Sequence, residues 1–155
     1  MLILLDIDGV MVQAAPWKKV EFHPDGFYQF IPNAESNLRA IISETGASIV
    51  LTTSHKSTYS LDKWQEIFSN RGIITKVDKL DDNLNLLSRK DELLNWISKS
   101  GQVDHYVIID DDTSLHDLPK SIREKVVFTQ PLVGLNKVAA LRAIEILKRD
   151  FPVES

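Results

Sequence analysis

Cysteine is absent from the 155 residues, which removes disulfides and thiolate metal sites and leaves the redox compartment unreadable. No apolar stretch approaches membrane-spanning length. Met1 leads straight into an apolar run with no cleavable leader ahead of it, so a cytoplasmic protein without a membrane partner is expected. Basic charge is not in excess: 18 Lys and Arg against 22 Asp and Glu give a net charge of −4, both signs interspersed. No broad basic surface therefore advertises nucleic-acid binding, although a local patch stays open. His23, His55, His105 and His116 lack metal-ligand spacing, and none is assigned a catalytic part. Internal repeats, low-complexity tracts, linkers and heptad runs are also missing. The chain thus reads as one domain over residues 1–155, with no obligate protein partner inferable. At 43% apolar it is long enough to bury a real core.

What is present begins at the N-terminus, where Asp6 and Asp8 end the apolar run Met1–Leu5 and Gly9 follows. A short apolar run bounded by glycine fits a buried strand of a parallel sheet, and such sheets place their chemistry at the carboxyl ends of the strands. Two acids crowded there are costly unless a cation or protein partner compensates them, whereas capping a turn needs only one.

Further candidate strands are Ser48–Thr52, Ile73–Val77, His105–Asp110 and Lys125–Phe128, after a first at Leu2–Asp6. Helical periodicity lies between them. One helix follows Pro32, with Asn33 as its expected N-cap, Leu38, Ile41 and Ile42 as its buried stripe and Gly46 at its end. A second covers about 61–70 with Leu61, Trp64 and Phe68 on one face; a third starts at Ser88 with Leu93, Leu94 and Ile97 facing inward. The last runs from about Asn136 to Arg149, with Val138, Leu141, Ile144 and Leu147 as the packing stripe. The alternation predicts an α/β, doubly wound (Rossmann-like) parallel sheet of about five strands flanked by helices. One segment interrupts it: Pro24-Asp25-Gly26 between aromatic-rich flanks predicts a β-hairpin flap within about residues 10–31.

The other strand ends carry polar clusters. Thr52, Thr53 and Ser54 follow the second strand, where hydroxyls and free N–H groups can hold a phosphate oxygen or cap a helix. Asp110, Asp111 and Asp112 follow the fourth, and at least one is expected to bind a metal ion. Arg89 and Lys90 begin the third helix and could supply positive charge, although any single basic residue is more often a surface charge.

This ensemble resembles the haloacid dehalogenase (HAD) superfamily of aspartate-nucleophile phosphohydrolases, in a form with a minimal cap. Asp6-Ile7-Asp8-Gly9-Val10 is similar to its first motif, the hydroxyls after Leu51 to its second, Arg89 or Lys90 to its third and Asp110-Asp111 to its fourth. More narrowly, residues 49–56, Arg89–Leu93 and Gly134-Leu135 resemble the small HAD domains associated with RNA-repair proteins. The resemblance implies a phosphatase working through an aspartyl-phosphate. Asp6 is then the nucleophile and Asp8 the general acid and base; Thr52 or Thr53 and Arg89 or Lys90 bind phosphate oxygens. It also implies Mg²⁺ on an Asp6 carboxylate oxygen, the Asp8 backbone carbonyl and a fourth-motif acid, Asp111 being favoured over Asp110. Asp8 favours a phosphatase over a dehalogenase, since members that cleave carbon–halogen bonds lack this acid.

Neither interval that carries a large cap in such proteins is long enough here, so the site admits a nucleic-acid end, a phosphoprotein or a small phosphorylated molecule. Trp17, Phe22, Phe27, Tyr28 and Phe30 could stack a base and Lys18, Lys19 and Arg39 could meet phosphates, but packing of the hairpin is the favoured reading of these aromatics. The alternative is a binding or regulatory module on the same fold, with the acids retained and turnover lost.

Overall fold

The computed structural model describes residues 1–15, 17, 19–83, 85–100 and 105–149. Five short apolar runs form β1 (Leu2–Leu5), β2 (Ser48–Leu51), β3 (Val77–Lys79), β4 (Tyr106–Asp110) and β5 (Val126–Phe128). They make one sheet in the order β3-β2-β1-β4-β5, and every pairing is parallel. Leu2 registers with Ser48 on one side and Tyr106 on the other, so the ends of β1, β2 and β4 are level. The connections run outward from β1 to β3 and then return to β4 on the opposite side. The crevice beyond β1 and β4 is therefore the topological switch point, where open α/β sheets bind ligands.

Side chains alternate across the sheet as strand geometry requires. Ile3, Leu5, Ile49, Leu51, Val107 and Ile109 join one core with residues of α1 (Pro32–Thr45), α2 (Leu61–Asn70) and α5 (Lys137–Lys148). Leu4, Val50 and Ile108 join the other, with Leu93 of α3 (Arg89–Lys99) and Leu115; α4 (Lys120–Arg123) is a single turn ahead of β5. Each buried Leu or Ile is worth roughly 1.5–3 kcal/mol, so both faces contribute. The doubly wound Rossmann-like architecture expected from the alternation is the one observed. No helix among the described residues is long and apolar enough to cross a membrane.

Four local expectations are corrected. β3 forms at Val77–Lys79 rather than Ile73–Val77, because the ladder to β2 opens with Val77 opposite Ile49, while Ile73 is buried beside α2 and the Gln65 side chain ties up Thr75 and Val77. Asn33 lies inside α1: Ile31 is the N-cap and Pro32 opens the helix with its ring-fixed φ, so no side-chain cap is used. On α2, Leu61 is half-exposed and Ile67 takes its place beside Trp64 and Phe68. On α5, Val138 and Leu141 are exposed, and Ala139, Ala140, Ala143, Ile146 and Leu147 face the core, because small side chains let the helix lie close to the sheet. Gly46 ends α1 in the left-handed conformation, and Ser88 caps α3 by accepting the Asp91 N–H, as expected.

Candidate active site

Three carboxylates from two adjacent strand ends meet at the switch point. Asp6 follows β1 directly, and its N–H donates to Ile109 O (3.1 Å); Asp110 closes β4; Asp111 is next in the chain. Each presents an oxygen within 4.8 Å of the others. Asp6 and Asp110 continue the alternation of Leu4 and Ile108, so they lie on the sheet face that α3 covers. The start of α3 delivers Arg89 to them, its Nη1 standing 2.6 Å from Asp110 Oδ2 and 3.4 Å from Asp6 Oδ1. Asp110 is fully buried, and its Oδ1 accepts the Asp112 N–H (3.1 Å). Asp111 leans over Gly9: a Cβ there would stand 2.1 Å from Asp111 Oδ2, and the glycine has φ +81°.

The acids outnumber the cation that faces them, and the electrostatics record it. Burial, then the neighbouring Asp110, pushes Asp6 up to about 8 from an ordinary 3.8. The same two causes, in that order, raise Asp111. Burial alone would lower the Arg89 guanidinium, but Asp110 and Asp6 hold it above its usual range. A set of hard oxygen donors with surplus negative charge suits a divalent ion such as Mg²⁺.

The two members of the Thr52/Thr53 and Arg89/Lys90 pairs have different surroundings, whereas Asp110 and Asp111 both join the cluster. Thr52 and Thr53 are both buried. Thr53 Oγ1 accepts the His55 N–H (3.2 Å) and caps the 3₁₀ turn Ser54–Ser57, while Thr52 Oγ1 is buried with no hydrogen-bond partner among the described residues. An orphaned hydroxyl beside the Asp6 strand end fits a phosphate oxygen. Arg89 turns into the acids; Lys90, half-buried, forms no ion pair with them.

Two contacts were not anticipated. His55 Nε2 lies 2.8 Å from Asp8 Oδ2, which makes it the histidine that reaches the acid pair. Lys56 is buried and paired with Glu92 (2.8 Å), tying the 3₁₀ turn to the first turn of α3. The contiguous Thr52–Lys56 run hinted at such a cluster, but its partners are dozens of residues away in the chain.

The hairpin forms as a tight turn with one antiparallel bridge, Phe22 to Tyr28. Arg71 of the α2 C-cap anchors it: Nη1 donates to Asp25 Oδ2 (2.6 Å), Nη2 to Asp25 Oδ1 (3.1 Å) and to Tyr28 O (2.8 Å). Phe27 and Phe30 are buried in the core, while Trp17 and Phe22 are exposed. Arg39 donates to Arg71 O (3.0 Å). Lys18 lies outside the described residues.

Gly134-Leu135 buttresses the loop after β1 from behind. Leu135 N–H donates to Val10 O (2.8 Å), and a Cβ on Gly134 would stand 2.5 Å from that oxygen. No curated protein and no solved structure matches the chain. Residues 2–140 match the family described as the HAD domain in Swiss Army Knife RNA repair proteins, a span that takes in β1 through the first turn of α5 and every acid of the cluster. With nearly the whole chain matched and the acid-bearing strand ends inside the match, this protein belongs to that family of HAD domains.

Proposed function

We propose that the chain is a Mg²⁺-dependent phosphomonoesterase that works through an aspartyl-phosphate on Asp6. The observation that carries this reading is the convergence of Asp6, Asp110 and Asp111 within 4.8 Å, with Arg89 bridging Asp6 and Asp110. Asp6, Asp111, Asp110 and the Asp8 backbone carbonyl are the groups that would hold Mg²⁺. When bound, the ion neutralises carboxylate charge beside the incoming phosphoryl group and polarises it. Asp6 forms the bond to phosphorus as the ester oxygen departs. Arg89 and the orphaned Thr52 hydroxyl face the nonbridging oxygens. Asp8 gives its proton to the leaving oxygen and takes one from the water that hydrolyses the intermediate.

The proposed substrate is a phosphate on a large molecule, with a nucleic-acid end as the leading candidate. Among the described residues, those between β1 and α1 form the pinned hairpin and those between β2 and α3 form α2 and β3, with no cap domain over the strand ends. The family's own description, a domain of RNA-repair proteins, supports the same substrate class.

Phosphate release from p-nitrophenyl phosphate with Mg²⁺ tests the reading. Wild type is expected to turn over, and Asp6→Asn to lose at least about 10³-fold, as expected for removal of a covalent nucleophile. Wild type and variant equally inert over a broad panel would instead favour a binding module. A screen of nucleotides, sugar phosphates and 3′- or 5′-phosphorylated oligonucleotides decides the substrate; no preference for oligonucleotides would remove the nucleic-acid end.

A further inference from the structure

We infer that His55 is a positioning residue that holds the Asp8 carboxyl in one orientation, engaging Oδ2 and leaving Oδ1 for the leaving oxygen, and that the site is thereby built for phosphate esters of poor leaving groups such as sugar hydroxyls. The inference rests on the phosphomonoesterase reading above.

The Asp8 side chain is 46% exposed, and a carboxyl group so placed exchanges rotamers freely unless something holds it. His55 holds it. Its backbone is set by the Thr53 cap of the 3₁₀ turn, and its Nε2 reaches Asp8 Oδ2 at 2.8 Å. The ring is braced edge-on by Phe27 (centroids 5.9 Å apart, 79° between planes) and by Tyr28 (5.3 Å, 88°). Those two aromatics belong to the hairpin that Arg71 locks through Asp25 and Tyr28 O. A chain of packed groups thus runs from α2 through the hairpin to one carboxylate oxygen.

The chemical consequence follows from the two oxygens of a carboxyl group. With Oδ2 held by the imidazole Nε2 at 2.8 Å, Oδ1 is the carboxyl oxygen left to exchange a proton with the substrate. In the first step the Asp6 oxygen bonds to phosphorus while the bond to the alkoxide oxygen breaks. A proton passes from Asp8 through Oδ1 to that oxygen, which leaves as a neutral alcohol, and Asp8 is left ionised with its contact to His55 Nε2 retained. In the second step Asp8 accepts a proton from water as the water oxygen bonds to phosphorus and the Asp6 oxygen is released; phosphate departs and Asp6 is regenerated. A phenolate stabilised by an electron-poor ring leaves without the proton, whereas an alkoxide does not, so a placed proton matters in proportion to the basicity of the leaving oxygen.

The test measures kcat/KM with Mg²⁺ over a series of aryl phosphates, from p-nitrophenyl to p-methoxyphenyl, for wild type, His55→Phe and His55→Gln. Phe keeps the ring packing against Phe27 and Tyr28 but has no donor; Gln keeps a donor of similar reach. In His55→Phe the preference for p-nitrophenyl over p-methoxyphenyl phosphate is expected to rise by about tenfold, part of the roughly 10²–10⁴-fold that a placed general acid supplies. His55→Gln is expected to stay near the wild-type slope. A slope unchanged in His55→Phe, or shifted equally in both variants, overturns the positioning role while the phosphatase reading stands. A wild type inert across the whole series overturns both.

Discussion

Gly9 carries more of the site than its size suggests. Its φ of +81° is open to glycine at little cost, and a methyl group would overlap the Asp111 carboxylate. Gly9→Ala is therefore expected to lose about 1–2 kcal/mol from backbone strain alone and to drive Asp111 away from Asp6 and Asp110. Chemical denaturation with and without Mg²⁺ checks this: the variant should be less stable and should show a smaller stabilisation by the ion than wild type. Neighbouring hydroxyls show the same sensitivity to position. Thr52 and Thr53 are alike in the sequence, but one is spent on the His55 N–H and the other is left buried without a hydrogen-bond partner among the described residues. Asp6 and Asp8 were legible because they are adjacent to a strand that reads clearly, whereas the choice between Arg89 and Lys90 depends on the rotation of α3 about its axis.

At the scale of elements, the hairpin behaves as a fixed wall rather than a swinging lid. The Arg71–Asp25 pair is buried, and the Arg71 guanidinium also lies 4.7 Å from the Phe30 ring centroid. Burial opposes ionisation of Asp25, but the hydrogen bonds from Arg71 outweigh it and hold the carboxyl well below its ordinary 3.8. A depressed carboxyl stabilises the fold fully above its unfolded value, and that contribution is lost as pH falls through the folded one. Asp25→Asn should thus be less stable than wild type at pH 7, by about 3 kcal/mol if the guanidinium is left unpaired, with the gap starting to narrow below about pH 4 and closing only below the depressed folded value. Urea unfolding at pH 7 and pH 3 measures the full gap and the onset of its loss. The turn was readable from Pro24-Asp25-Gly26, but its anchor was not, since Arg71 is 46 residues away. On α5 half of the expected stripe is observed, with Leu147 buried and Ile144 packed against the core, while close packing put alanines on the core face and left Val138 and Leu141 exposed.

For the whole molecule, the acid cluster joins β1 to β4, the two strands at the heart of the sheet. An ion held there binds only the folded chain and stabilises it by mass action, about 2.7 kcal/mol at a hundredfold excess over Kd. Since each kcal/mol moves the midpoint of a domain this size by roughly 2–4 °C, Mg²⁺ should raise Tm by about 5–10 °C. Asp111→Asn should abolish most of that rise. Differential scanning calorimetry of the two proteins across a Mg²⁺ titration is the measurement, and an equal shift in both would take Asp111 out of the ion site.

The order of strands and helices, the first acid pair and the acids after β4 were settled by local pattern, because hydrophobic periodicity and strand-end position are properties of contiguous residues. Tertiary structure alone decided that β1 and β4 lie side by side, that Arg89 bridges their acids and that His55 meets Asp8 across 47 positions of chain. Those contacts depend on crossover topology, helix rotation and side-chain reach, and no run of neighbouring residues encodes any of the three.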